Sequence, residues 1–274
     1  MRRPLLITAL CLSALPIVPA GAANACGPST AFENEDVKIW FQGFKGHFKI
    51  DNKTNGLSYD VQTDSISERV GDGTVATMDL GHAFPKQTDT CTVEEADGVV
   101  TVTFSVTADV KRAGVADAGG GANVLGAATA TYIVHFDTAD NGSKFDLLVD
   151  EWPWQATDSV LAFNVDLTAG EGTTVEAAEN GVGFRNADGE AIGSFTWDAA
   201  FTARNDDGSE QEGTVESATT IEGANADVDL SFTNVPAGYD ELFYDPWMGA
   251  GAYLVVGPLL INDGPLIDLL NLLP

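Results

Sequence analysis

Alternation between apolar and polar residues is the dominant pattern along this sequence. It is clearest over residues 100–110, where valine, phenylalanine and alanine take every second position and threonine, serine and aspartate take the others. Residues 145–150 and 161–167 alternate in the same way, on either side of a loop that carries Trp152 and Trp154. Successive side chains of a strand point to opposite faces, so these segments are predicted to be half-buried β-strands.

Shorter alternating segments, separated by glycine-rich turns, predict strands over most of the remaining chain. The Asn141-Gly142 pair indicates a hairpin that joins the strand at 129–137 to the strand at 145–150. Residues 26–36 are interpreted as an arm, 94–98 as a polar connection and 205–212 as a solvated loop. The other predicted strands cover residues 37–41, 48–50, 59–61, 66–70, 74–80, 173–177, 181–185, 192–201, 227–232, 242–244 and 252–256.

Because no long helical period accompanies these strands, the sequence predicts an all-β fold. The leading prediction is a single large antiparallel two-sheet β-sandwich. The alternatives are a closed β-barrel and two smaller β-domains.

The first 25 residues form a separate segment. Arg2 and Arg3 precede an apolar stretch over residues 5–18, and Ala25 closes a small-x-small pattern of the kind that signal peptidase cleaves. We therefore predict a signal peptide over residues 1–25 and a secreted or cell-surface protein, in the extracellular space or the periplasm.

The predicted β-sandwich domain covers residues 26–256, and an apolar tail covers 257–274. Prolines, glycine and aspartates interrupt the tail, which argues against a membrane helix there. No membrane span is predicted in the mature chain.

Two cysteines, Cys26 and Cys91, follow the predicted cleavage point. In an oxidising compartment, two cysteines favour a single disulfide bond. The alternative is a lipidated Cys26, which would leave Cys91 without a partner.

The charge is strongly negative, with 13 Lys and Arg against 41 Asp and Glu and a net charge of −28. Beyond Arg112 the only basic residues are Lys144, Arg185 and Arg204. Such a surface repels phosphate backbones, so nucleic acid is excluded as a partner. Adaptation to high salt, binding of divalent cations and plain solubility each account for the acidity.

Recognised catalytic motifs are missing from the sequence. His47, His82 and His135 do not stand at the spacing of metal ligands, and the glycines of 118–126 lack the Lys-Ser/Thr of a phosphate-binding loop. The adjacent acids Asp150 and Glu151 lie beside tryptophans, as in a glycosidase, but neighbouring strand residues point to opposite faces.

Three tryptophans at loops or strand ends, Trp152, Trp154 and Trp247, are the candidate binding residues. Their rings would offer a flat platform to a sugar or to a protein. The alternative is that they cap the hydrophobic core.

Two acidic loops offer oxygen ligands for calcium, but neither has the EF-hand spacing. Solvated charge is the alternative, and no other cofactor is predicted. Two Asn-x-Ser/Thr sequons, at Asn52 and Asn141, fall at predicted turns and are candidate glycosylation sites. The candidate calcium ligands are Asp137, Asp140, Asp206 and Asp207.

These observations predict an exported acidic β-protein that binds or assembles, without catalysis, at or outside the cell surface. Its partner would be an unidentified protein or carbohydrate. The alternatives are a carbohydrate-active enzyme with paired carboxylates near an exposed tryptophan, and a calcium-dependent adhesin.

Overall fold

The computed structural model describes residues 29–262, apart from short gaps at 34, 36, 42–46, 54–57, 81–90, 97, 116–122, 138–141, 250–252 and 257–258. The described residues form strands and turns without a helix, so the all-β prediction is confirmed. The strands are β1 (Ser29–Glu33), β2 (Val37–Phe41), β3 (His47–Asn52), β4 (Ser58–Val70), β5 (Gly73–Asp79), β6 (Cys91–Ala96), β7 (Val99–Arg112), β8 (Val124–Asp137), β9 (Gly142–Asp150), β10 (Val160–Ala169), β11 (Thr174–Ala178), β12 (Gly181–Arg185), β13 (Ala191–Thr196), β14 (Ala200–Arg204), β15 (Glu210–Glu222), β16 (Asn225–Thr233), β17 (Glu241–Tyr244), β18 (Trp247–Gly249), β19 (Tyr253–Val256) and β20 (Leu259–Asn262).

Ten of these strands form a closed ring in which each is hydrogen-bonded to the next. The order is β4, β5, β7, β8, β9, β17, β14, β15, β16, β10 and back to β4, and every pairing is antiparallel. The fold is therefore a closed barrel, which the sequence offered as an alternative. The leading prediction of a two-sheet sandwich is not confirmed.

Two short strands close the barrel. β7 with β8, and β4 with β10, pair along almost their whole lengths, whereas β5 meets β7 and β17 meets β14 at three positions each. Periodicity shows which residues face the core, but not how far neighbouring strands are shifted against each other. The shift decides whether the edges of a sheet meet, so closure could not be predicted from the alternation alone.

Additional strands branch from the barrel. β1, β2 and β3 extend the sheet from the first half of β4, and β6 lies beside the first half of β7. β18, β13, β12 and β11 extend it from the start of β9, while β19 and β20 pair only with each other.

Several boundaries differ from the sequence-based prediction. Residues 58–70 form one long strand instead of two, because Asp64 is the extra residue of a β-bulge that bends β4 without interrupting it. The strand predicted at 192–201 is broken after Thr196, where the chain leaves β13 for β14. β15 begins near the end of the predicted solvated loop, at Glu210, and β6 reaches into the predicted connection. β1 lies in the predicted arm, and β20 lies in the predicted tail.

The core fills the interior of the ring. Alternate residues of β7, β8, β9, β10 and β16 point inward and are buried, as the period of two predicts. Aromatic rings pack across it, with Phe104 and Tyr132 stacked at 4.8 Å between centroids and Phe232 in edge contact with Tyr244 at 5.1 Å. The outward faces of β7 and β8 carry hydroxyl groups that pair across the strands. The predicted hairpin between β8 and β9 is confirmed.

Candidate functional site

A buried glutamate organises the loop between β9 and β10. Glu68 of β4 is fully buried, and its carboxylate accepts hydrogen bonds from Trp152 Nε1 at 3.1 Å and Ser159 Oγ at 2.6 Å. The backbone N–H groups of Gln155 and Ala156 also donate to it, each at 2.9 Å. An ionised carboxylate is costly to bury unless hydrogen bonds compensate it, and here several donors of one loop converge on it. The loop is consequently held in one conformation.

This arrangement explains the position of Trp152. The side chain is 5% exposed, and its ring belongs to the hydrophobic core. The ring therefore offers no free face to a ligand. The placement favours the alternative interpretation, in which this tryptophan caps the core.

Trp154 lies nearer the surface than Trp152. Its side chain is half-buried, its Nε1 donates to the carbonyl oxygen of Tyr239 at 3.1 Å, and its ring meets the Tyr239 ring edge-on at 4.8 Å. The third candidate, Trp247, begins β18, where its backbone is in register with Lys144 and Thr196; its side chain lies outside the described part.

Trp154 borders an open cleft of about 430 Å³. One wall is the loop at residues 154–158, which contributes Gln155, Thr157 and Asp158. The Gln155 amide nitrogen donates within this loop to Pro153 O. The other wall is the turn that carries Ala237 and Gly238. The cleft therefore combines one aromatic ring with three hydrogen-bonding side chains, as small-ligand sites do.

A second, larger cleft of about 660 Å³ is lined by the start of the same loop, at Glu151, and by the end of β9, at Asp150. It follows a row of outward-facing residues in register across adjacent strands. The row runs from Thr129 of β8 to Asp150 of β9, Glu241 of β17 and Arg204 of β14. The remaining lining residues are Glu151, Asn205, Asp206 and Asp240.

Carboxylates crowd this acidic cleft. Partial burial, the neighbouring Glu241 and the charge of Glu151 together raise the pKa of Asp150 to about 6. Arg204 partly compensates, since its guanidinium contacts Glu241 at 2.8 Å and Glu210 at 2.9 Å. Asp150 is therefore a carboxyl group that can hold a proton near neutral pH, as a general acid does.

Glu151 marks the end of β9 at this cleft. Its φ of 59° lies in the left-handed region, and its N–H donates to the carbonyl oxygen of Asp240 at 3.2 Å. The sequence predicted that Asp150 and Glu151, as neighbouring strand residues, would point to opposite faces. Because the chain leaves β9 at Glu151, that restriction is partly removed. Both adjacent acids line the cleft.

Of the predicted calcium ligands, Asp206 and Asp207 are the ones whose side chains the structure describes. Asp206 and Asp207 are exposed in the turn between β14 and β15. Hydrogen bonds from the Ser209 side chain and from the Ser209 backbone N–H, the latter at 2.8 Å, lower the pKa of Asp207. Asp137 ends β8, and Asp140 lies outside the described residues. Among the described residues, no three His, Cys, Asp or Glu side chains are grouped so that they could hold a metal ion.

The modification sites remain predictions. Cys91 begins β6, but Cys26 lies outside the described residues, so the structure does not test their disulfide bond. Asn52 ends β3, and Asn141 lies in one of the gaps.

Sequence reasoning did not identify Glu68, Glu241 or Arg204 as site residues. A signal for Glu68 was present in the sequence. Glu68 lies two residues after Ile66 in the predicted strand at 66–70, so both side chains point to the same face, which is the core face. Glu241 and Arg204 meet only through the pairing of β14 with β17, which local sequence does not reveal.

No helix long and apolar enough to cross a membrane occurs in the part of the chain that the structure describes. The chain matches no protein-family model, and no curated protein matches it in sequence.

Proposed function

We propose that this protein is an exported, non-enzymatic binding protein that takes a sugar in the cleft beside Trp154. It acts at or outside the cell surface, after removal of residues 1–25, with Cys26 and Cys91 joined by a disulfide bond. The observation that carries the proposal is the cleft itself, where a half-buried tryptophan borders a rim of polar side chains.

The chemistry of the cleft suits a sugar ring. An indole ring packs against the apolar C–H face of a sugar, while amide, hydroxyl and carboxylate groups receive its hydroxyls. Gln155, Thr157 and Asp158 supply one of each around the cleft. A neutral or weakly cationic ligand also suits the negative surface better than an anion does.

The rigidity of the loop supports the same proposal. Glu68 holds Trp152 and the backbone of Gln155 and Ala156, so a ligand need not order the loop when it binds. Because ordering a loop opposes binding, a preformed cleft gives higher affinity for the same contacts.

Glycan-array binding followed by calorimetric titration of the best sugar tests this function. Trp154→Ala is expected to weaken binding at least about tenfold, since truncation of a central aromatic residue commonly costs more than 1 kcal/mol. Thr157→Val and Asp158→Asn change exposed side chains and are expected to weaken binding without affecting folding. The matched control is Trp40→Ala, which removes a half-buried tryptophan from β2, far along the sheet from this loop.

Two results would contradict the proposal. The first is an array on which no glycan binds above background. The second is wild-type affinity in Thr157→Val, Asp158→Asn and Trp154→Ala together.

The acidic cleft favours a second candidate function, hydrolysis of a glycosidic bond. Its support is the raised pKa of Asp150, with Glu241 and Glu151 in the same open cleft. Against it, no aromatic ring lines this cleft among the described residues. Turnover of a polysaccharide that Asp150→Asn abolishes, with sugar binding beside Trp154 unchanged, would replace the non-enzymatic function by this one.

A further inference from the structure

An unusual histidine lies on the outer face of the extension formed by β2, β3 and β4. His47 is 8% exposed, and its Nε2 lies 3.9 Å from Asp60 Oδ1. Both atoms are shielded from solvent, and neither has a hydrogen-bond partner in the part of the chain that the structure describes. The two unpartnered atoms therefore face each other across a separation too long for a hydrogen bond.

His135 shows how an outward-facing histidine is otherwise accommodated in this protein. Its Nδ1 lies 3.2 Å from Thr101 Oγ1, and its Nε2 lies 3.1 Å from Asp146 Oδ2. Both ring nitrogens thus have partners. His47 lacks an equivalent partner at Nε2, and a buried polar atom without one is unfavourable unless an ion or a water molecule supplies the contact.

The surroundings favour a cation at this position. His47 is in register with Gln62, Gln62 with Asp166, and Asp166 with Asp227, so carboxylates continue along the same outward row. Burial and the neighbouring Asp64 raise the pKa of Asp166 to about 6, which reflects the density of negative charge there.

The nearest ammonium group is directed elsewhere. Lys49 is in register with Asp60, but its Nζ lies 3.6 Å from Asp51 and 5.2 Å from the centre of the Trp40 ring. The Lys49 ammonium group therefore pairs with Asp51. The side of the Asp60 carboxylate that faces His47 is left for another positive charge to neutralise.

We propose that His47 Nε2 and Asp60 Oδ1 bind a divalent transition-metal ion of the zinc type. Imidazole nitrogen selects such ions over calcium and magnesium, which prefer all-oxygen sites. Ligand atoms of a tetrahedral zinc ion lie about 3.4 Å apart, so the 3.9 Å separation needs to shorten by only about half an ångström. With two protein ligands, water completes the coordination, and binding is weaker than at a four-ligand structural zinc site.

This site is independent of both clefts, because neither His47 nor Asp60 lines them. Sugar binding beside Trp154 and metal binding at His47 can consequently succeed or fail separately.

Calorimetric titration of the purified, tag-free protein with zinc chloride tests the site. Wild-type protein is expected to bind one zinc ion, and His47→Gln and Asp60→Asn are each expected to weaken that binding at least about tenfold. His135→Gln is the matched control, since it replaces a histidine whose nitrogens are both engaged, and it should bind zinc as the wild type does. Magnesium chloride at the same concentration should not compete.

A second measurement avoids dependence on the folding of the variants. Imidazole nitrogen resonances of wild-type protein are recorded by NMR as zinc is added, and the Nε2 signal of His47 is expected to shift before those of the other histidines. Zinc affinity unchanged in His47→Gln, competition by magnesium, or an unmoved His47 signal would overturn the proposal. Absence of any zinc binding would overturn it as well and would assign the gap to a water molecule.

Discussion

At the scale of single residues, the most consequential side chain is Glu68. Its described partners are all donors: an indole N–H, a hydroxyl and backbone N–H groups. No described cation contacts it, so dipoles alone stabilise the buried charge. A side chain that carries its own N–H cannot replace it, because that N–H would point at another donor.

Glu68→Gln is therefore expected to lower the free energy of unfolding by about 3 kcal/mol, although the side chains are nearly identical in shape. Urea unfolding followed by tryptophan fluorescence measures the change, and the native emission should move to longer wavelength as Trp152 loses its anchor. Glu222→Gln, at the exposed end of β15, is the control and should change stability by no more than about 0.5 kcal/mol. Equal stability of the two variants would show that the Glu68 contacts do not hold the loop.

Asp150 makes stability depend on pH in a predictable direction. Burial, Glu241 and Glu151 raise its pKa from 3.8 to about 6, so the folded state binds this proton more tightly than the unfolded chain does. The stability that results is fully present below about pH 4 and is lost as pH rises through about 6. Because the side chain is partly solvated, we expect only about 1 kcal/mol from it.

Asp150→Asn should accordingly stabilise the protein at about pH 7.5 and leave its stability unchanged at about pH 2.5, where Asp150 is protonated in both the folded and the unfolded state. Thermal unfolding at both pH values, for variant and wild type, measures this difference. Asp72→Asn, at an exposed turn, removes the same formal charge and should show no such pH-dependent gain. A gain of equal size in both variants would attribute the effect to total charge.

At the scale of elements, β15 shows why a strand can be missed. Most of its side chains are exposed on both faces, so its sequence lacks the alternation that marks the other strands. Its position is fixed by pairing with β14 at one end and β16 at the other. The two pairings meet at Thr214, which is in register with Ala200 of β14 and with Thr233 of β16.

Gly213 is required beside that position, where it lies in register with Phe201 of β14. A β-carbon there would overlap the Phe201 ring and approach Thr233 O to 2.8 Å, which is closer than any ordinary contact. Gly213→Ala should lower the unfolding free energy by about 2 kcal/mol, measured by chemical denaturation. Gly73→Ala, at the start of β5, is the control, because its β-carbon would meet only Val70 O at an ordinary 3.5 Å. A neutral Gly213→Ala would mean that the Phe201 ring does not pack directly against Gly213.

At the scale of the whole molecule, negative charge is the property that acts everywhere. The net charge is −28, and three arginines are paired with carboxylates: Arg69 with Asp229 at 2.6 Å, Arg185 with Glu176 at 2.8 Å and Arg204 with Glu241 at 2.8 Å. The remaining acids repel one another, which disfavours the compact state unless counter-ions screen them.

Raising sodium chloride from about 0.05 M to about 2 M should therefore raise the melting temperature by at least about 5 °C. Calcium chloride at equal ionic strength should give a similar rise, since the predicted calcium ligands Asp206 and Asp207 are not gathered into a site. Differential scanning fluorimetry measures both series. A large rise at millimolar calcium that sodium does not reproduce would favour the calcium-dependent adhesin.

The sequence alone determined the fold class and the direction of most side chains. A period of two is a local property, so residues such as Val102, Leu147 and Phe163 were correctly placed on the core face. It also located the loop between β9 and β10, parts of which line both clefts, through Trp152 and Trp154. Even the buried position of Glu68 follows from the alternation, because Glu68 lies two residues after Ile66 and so shares its face of the strand.

Only the tertiary structure decided that the sheet closes, and which residues meet. Closure depends on the shift between strands far apart in sequence, and the short pairings of β5 and β17 supply it. The same shifts bring Asp150 to Glu241 and Glu241 to Arg204. Such encounters are set by register across the whole barrel, and no local stretch of sequence encodes register by itself.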